Sequence, residues 1–310
     1  SRDYGFYFFV YILTRVLPDD PRWFSFSITS ATAFLIFLSF SNFCKKENLE
    51  HLVSKASSLV IFTLGFFCII RFYDFTNALR QHFAFCLFLY VISTDLNKKV
   101  KIFLSCLPIA FHWSIAPFVI IYIIYSRKDF PIKKQTMILW CTFIIGTIGL
   151  GVLQYLLSSF DIVAGYISGD HQELGIDKRI MIIMALCTVL INRFCHQNTK
   201  NKDLRSVSFM LVLITILFAL NSTMIIRNAY NFTDFICCIS PILFYKSNLM
   251  YKGFKLSERV AKPAYLTWTL FIMYNIMLLN RGSFEYLIFT RYGIWSSFYS
   301  IVHTVNPISL

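Results

Sequence analysis

Arg80 lies in NALRQHFA, residues 77–84, between the apolar runs IFTLGFFCII and FCLFLYVIS. On a helix Asn77, Arg80, Gln81 and Ala84 fall at i, i+3, i+4 and i+7, so three polar groups and a small residue share one face while His82 points elsewhere. A second stripe, Arg227, Asn231 and Asp234, follows i, i+4, i+7. Polar stripes in apolar helices often only join neighbours by hydrogen bonds, but a charged one is costly enough that function is the default reading. A guanidinium presents a planar fork of donors that grips phosphate or carboxylate and stays charged when partly desolvated, so both stripes point to an anionic ligand. A third candidate is His112 in CLPIAFHWSIAP, held between Pro108 and Pro117. Imidazole accepts a proton near neutral pH, although a lone histidine beside a tryptophan is as often a packed, hydrogen-bonded residue.

The elements that must hold these groups are membrane helices. Of the 310 residues 57% are hydrophobic and 18% aromatic, well above a soluble domain, and apolar runs recur along the whole chain. Crossing hydrocarbon of roughly 30 Å takes about 20 helical residues. The expected fold is all-α and polytopic, a single transmembrane domain over 1–310 with about ten hydrophobic segments: 5–17, 23–43, 56–71, 76–94, 101–125, 135–157, 178–194, 205–223, 227–245 and 263–280. The chain opens on Ser1, so an N-terminal part is expected to be missing. The nine cysteines sit mostly in or beside apolar runs, with no C-x-x-C and no His/Cys ligand spacing, and read as small buried hydrophobes.

Basic clusters separate the runs: KKENLEHLVSK, NKKVK, SRKDFPIKK, RFCHQNTKNKDLR and KSNLMYKGFKLSERVAK. The positive-inside rule places such loops in the cytoplasm. With NKKVK and SRKDFPIKK on one side, segment 101–125 must enter and leave the membrane on that side, as a re-entrant broken helix with His112 near its tip. The five clusters hold fifteen lysines and four arginines, whereas the other ten basic residues are nine arginines and one lysine. Lysine suffices as a topological point charge; an arginine-rich outer side suits an anion. The plainer alternative, pairing with outer acids or snorkelling to the interface, is preferred for Arg22, Arg179 and Arg291. The outer turn RFYDFTNALRQ adds Arg71 and Asp74 as candidates, and the loop acids Asp170, Glu173 and Asp177 read equally well as solvated groups.

The order DYGFYFFVYILTRV, TNALRQHFAFCLFLYVIS, a short basic turn and KIFLSCLPIAFHWSIAPFVIIYII resembles the EpsG-like branch of bacterial Wzy polysaccharide polymerases. That pattern has an E-x-G-[FY] opening, then N-x-[IL]-R-Q-x-x-A, then [LAS]-x-x-F-H-x-[ST]-A. The matching residues are Gly5 and Phe6; Asn77, Leu79, Arg80, Gln81 and Ala84; and Phe111, His112, Ser114 and, one place late, Ala116. Asp3 stands where the family often has glutamate, Tyr4 replaces the usual proline, and the expected upstream G-T-D-Y stretch is absent.

The resemblance implies a GT-C-like helical bundle in the bacterial cytoplasmic (inner) membrane, with its active site on the periplasmic side. It implies a glycosyltransferase, without cofactor, that polymerises oligosaccharide repeat units carried on undecaprenyl diphosphate; a metal-independent mechanism is expected because the sequence shows no outer D-x-D-like pair or carboxylate cluster to hold a divalent cation. Implied partners are those lipid-linked glycans, the bilayer, a chain-length regulator and a flippase; no nucleic acid is expected. A sugar hydroxyl attacks C1 of another repeat unit and the lipid diphosphate departs, which calls for fixed cations at the leaving group and a base at the hydroxyl. On this reading Arg80 and Arg227 hold the diphosphate, joined by Arg71 and Arg281. Asn77 and Gln81 orient Arg80 or bind sugar, and Asn231 lines the second stripe. His112 is the favoured base, with Asp3, Asp74 and Asp234 as rivals. The alternatives are a lipid-linked oligosaccharide flippase, which would show more helices and a two-lobed repeat, a ligase of the same chemistry, or a membrane-bound O-acyltransferase opening to the cytoplasm.

Overall fold

The computed structural model describes residues 3–18, 21–55, 60, 79–125, 134–144, 146, 178–217 and 222–246. Among them every regular element is helical: α1 (Tyr4–Val16), α2 (Pro21–Lys46), α3 (His51–Ser54), α4 (Leu79–Ser93), α5 (Lys98–Ser105), α6 (Leu107–Phe111), a 3₁₀ turn (Trp113–Ile115), α7 (Ala116–Tyr125), a helical stretch over 134–144, α8 (Lys178–Asn198), α9 (Lys202–Leu217) and α10 (Ser222–Lys246). The expected segments 56–71 and 263–280 lie largely or wholly outside the described residues, as do Arg71, Asp74, Asn77 and Arg281.

The chain divides into two compact units, 1–116 with 233–310, and 117–232. In the first, α2 starts on Pro21, whose missing N–H would have no helical partner there. Just past its end Asn48 adopts the left-handed conformation (φ 58°) while Leu49 N–H donates to Cys44 C=O at 2.8 Å. α2 packs along α4 in parallel: Phe83 joins Ile28 in the core near one end, and Asn42 donates to Ser93 near the other. The carbonyls at the end of α4 are capped by lysines, Lys46 Nζ donating to Thr94 C=O at 2.9 Å and Lys101 Nζ to Ile92 C=O at 3.1 Å. Lys246, at the end of α10, pairs with the buried Glu47 at 2.6 Å, and Lys46 with Asp95 at 3.4 Å. The closing ends of α2, α4 and α10 therefore meet at one lysine-rich end of this unit.

Segment 101–125 is broken, as its prolines suggested, but into more pieces and by a different means. Pro108 and Pro117 each lie second in their helices, α6 and α7, where no intrahelical bond is lost. They start helices rather than kink one. The chain turns at His112, whose backbone is extended (φ −156°, ψ 117°) between α6 and the 3₁₀ turn.

In the second unit, buried side chains bond across helices. Gln135 contacts Tyr125, His196 and Asn192, Asn192 accepts from Ser208 Oγ at 3.0 Å, and Asn228 donates to Leu211 C=O at 3.2 Å. Such bonds join helices where the surroundings offer no water.

Many apolar side chains of the described helices are exposed. On α1, Tyr4, Tyr7, Phe8 and Tyr11, spaced i, i+3, i+4, i+7, are all exposed, while Phe6, Phe9, Val10 and Leu13 face the core. A helix apolar on both faces matches lipid better than water. Trp23–Lys46 is the one helix among the described residues long and apolar enough to cross a membrane; α1, α4 and the Trp113–Tyr125 stretch are apolar but shorter.

Candidate functional site

Three stretches far apart in sequence meet at the start of α4. Asp3 precedes α1, Arg80 is the second residue of α4, and His112 is the break after α6. Arg80 Nη1 donates to Asp3 Oδ2 at 2.8 Å, and His112 Nδ1 lies 3.4 Å from the same oxygen. The Asp3 side chain is 5% exposed, that of His112 11% and that of Arg80 42%. The carboxylate is thus buried, with the cation reaching outward from it and the imidazole beside it. Asp3 Oδ1 is also buried, with no hydrogen-bond donor among the described residues.

The close approach depends on Gly5. A Cβ at that position would stand 2.9 Å from both Cβ and the carbonyl oxygen of Ala110 and 3.0 Å from its carbonyl carbon. Because two of those atoms are backbone, nothing flexible can yield. Gly5 thereby lets α1 lie against α6, which puts Asp3 within reach of His112. Gly5→Ala should destabilise the fold by roughly 1–3 kcal/mol through overpacking and separate Asp3 from His112. Thermal unfolding in detergent checks the loss, and Ala110→Gly should restore only part of it because the backbone contacts remain.

An aromatic floor supports the polar groups. Phe9 stacks on Phe83 (centroids 5.4 Å apart), and Phe111 contacts both at 6.1 and 5.2 Å. The Arg80 guanidinium carbon lies 5.9 Å above the Phe6 ring. Each motif therefore supplies both a polar group and a ring near the site: Asp3 and Phe6, Arg80 and Phe83, His112 and Phe111, with Arg80 lying over the ring of Phe6 from another motif. The site is at the opposite end of α4 from the lysine-capped carbonyls, about 20 Å away at 1.5 Å per residue.

Other sequence candidates fall elsewhere. Gln81 and Ala84 are buried in α4. Arg227 and Asn231 lie in the second unit, half-buried and buried respectively, on the same helix as Asp234. Asp234 was expected to serve as a base or to pair with Arg227; it is fully buried and bonded to His82, whose Nδ1 is 2.9 Å from both its oxygens. His82 lies off the polar face of α4, so helical periodicity gives it no partner. The signal was present: two polar residues in separate apolar helices tend to find each other. Asp3 and His112 are both possible metal ligands, but among the described residues no three His, Cys, Asp or Glu groups cluster closely enough to hold an ion.

Described residues that are all helical where regular, with many exposed apolar side chains and a buried Asp and His gathered with a half-exposed Arg at one helix end, fit a membrane-associated protein with a polar reaction or binding centre. It belongs to the EpsG family, whose family model matches residues 1–290. No curated protein and no solved structure matches the chain. Family membership gives it a membrane-associated, polymerase-like role in polysaccharide biosynthesis.

Proposed function

We propose that the chain is a glycosyltransferase that polymerises oligosaccharide repeat units carried on undecaprenyl diphosphate, at the outer face of the cytoplasmic membrane. The observation that carries this reading is the Asp3–Arg80–His112 cluster, which joins the residues of all three family-like motifs around one carboxylate oxygen. The polytopic, GT-C-like architecture expected from the sequence belongs to the same reading. So does the sidedness, since the cluster lies opposite the lysine-rich end and lysine-rich ends favour the cytoplasm.

The chemistry divides among the three residues by their exposure. His112 is the base: with Nδ1–H turned to Asp3, the lone pair on Nε2 takes the proton of the acceptor hydroxyl as its oxygen attacks C1 of the donor sugar. The C1–O bond to the diphosphate breaks and its electron pair leaves with the lipid diphosphate. The buried Asp3 touches no sugar and acts through His112, holding the ring and stabilising the imidazolium that forms. A distance of 3.4 Å is long for that bond, as catalytic contacts often are before substrate arrives. Arg80, bonded to Asp3 yet 42% exposed, meets the charge growing on the leaving diphosphate. Arg71, Arg227 and Arg281 are further phosphate contacts on this reading, and Asp74, Asn77, Gln81 and Asn231 further contacts to substrate. A chain-length regulator and a flippase would work beside it.

Gel analysis of surface polysaccharide from a strain lacking the protein tests the proposal. A ladder that collapses to a single repeat unit supports a polymerase. Loss of every surface repeat indicates a flippase, and full-length polymer left on the lipid carrier indicates a ligase.

A further inference from the structure

The transfer chemistry leaves His82 and Asp234 without a role. Among the described residues they form a deeply buried ionisable pair, with side chains 2% and 0% exposed, joined by a bond in which Nδ1 lies 2.9 Å from each carboxylate oxygen. Apolar side chains of similar volume would hold α4 against α10 as well as or better than a buried polar pair does. What the pair adds is direction. An apolar contact tolerates rotation of a helix about its axis, whereas one ring nitrogen shared between two oxygens fixes both rotation and level.

That rotation matters because of where Arg80 stands. His82 lies two positions further along α4, with only Gln81 between them, so the two side chains leave the helix about 200° apart. One turns to α10 and Asp234, the other to α1 and Asp3. A 20° turn of α4 would carry a side-chain tip ~6 Å from the helix axis through about 2 Å. That is enough to break the 2.8 Å bond from Arg80 to Asp3.

We propose that His82 and Asp234 form a positioning pair that sets the rotation of α4 and so holds Arg80 on Asp3 in the geometry used for transfer. The kinetic part rests on the polymerase reading; the positional part does not. The test uses the full chain in proteoliposomes with a lipid-linked repeat unit as substrate. His82→Asn keeps a donor near the Nδ1 position and should retain activity within about threefold, while His82→Gln, with its donor one bond further out, should not. The apolar pair His82→Phe/Asp234→Leu should unfold at or above the wild-type temperature yet lose at least tenfold in kcat. In an Arg80→Lys background the same pair should cost little more, since the geometry it protects is already gone.

A second measurement needs no turnover. Cysteines placed at positions 3 and 80 should be joined by a short bifunctional thiol reagent in an otherwise wild-type chain, and much less readily once the apolar pair is introduced. Wild-type kcat in the apolar pair, full additivity with Arg80→Lys, or unchanged crosslinking would each overturn the positioning role. A wild-type protein that makes no polymer, but whose crosslinking depends on His82 and Asp234, would overturn the polymerase reading alone.

Discussion

His112→Ala should stop chain growth and leave single repeat units on the lipid carrier, in a protein that still folds. The backbone at this break is held independently of the ring, with His112 N–H donating to Pro108 C=O at 3.0 Å and its carbonyl accepting from Ile115 N–H at 3.1 Å. Losing the imidazole therefore removes chemistry with little architecture. General-base catalysis contributes roughly 10²–10⁴-fold, and that is the expected fall in kcat for a protein purified with an unchanged melting profile. Asp3→Asn should cost less, because His112 keeps its place while losing the charge that favours its protonated form. Asp3→Glu should cost less again, since the family pattern often carries glutamate there. Normal polymer from His112→Gln would show that the base lies elsewhere and return Asp3 to first place. Turnover of a lipid-linked repeat unit by the four variants in proteoliposomes ranks them directly.

The residues of this site were largely legible before the fold was. Arg80 and His112 stood out because a charged fork and an imidazole are costly in apolar surroundings, and Asp3 because it stands, two places before the matching Gly5, where the family pattern often has glutamate. Gly5 carried meaning that only geometry discloses: its lack of a side chain is what lets α1 approach Ala110. The pairings were not legible. Helical periodicity states which residues share a face, but Arg80 and Asp3 are 77 residues apart, and His82 and Asp234 are 152 apart. Nothing local ties them together. Periodicity placed Asp234 in a stripe with Arg227 and Asn231, and the spacing is right; its hydrogen bond nevertheless goes to another helix, because a buried carboxylate is decided by which donor tertiary packing brings within 3 Å. The break at His112 was anticipated from Pro108 and Pro117, yet proline chemistry allows two readings, a kink inside one helix or the first turn of a new one. The flanking helices took the second.

Arg80→Lys should lose most activity while keeping both charge and fold. An ammonium can replace the single bond to Asp3, so the buried carboxylate keeps a cation and the melting temperature should stay close to wild type. The geometry is what changes. A guanidinium can place one edge on the carboxylate and turn another outward to a phosphate oxygen, and the 42% exposure of this side chain beside an almost fully buried Asp3 fits such a bridge. An ammonium has no second edge. If the bridge stabilises charge on the departing diphosphate, its loss should lower kcat by about 10²–10³-fold, the scale of one preorganised donor at a developing anion. Arg80→Ala is the less informative variant, because it also leaves Asp3 buried without its cation and should lower stability as well. Binding of added undecaprenyl diphosphate, read as inhibition where turnover remains and directly where it does not, separates the two roles of Arg80. It should weaken in Arg80→Lys and persist in His112→Ala, since the first residue meets the leaving group and the second meets the nucleophile. Full-length polymer from Arg80→Lys, with inhibition intact, would mean that Arg80 serves Asp3 alone and that the diphosphate is held by other cations.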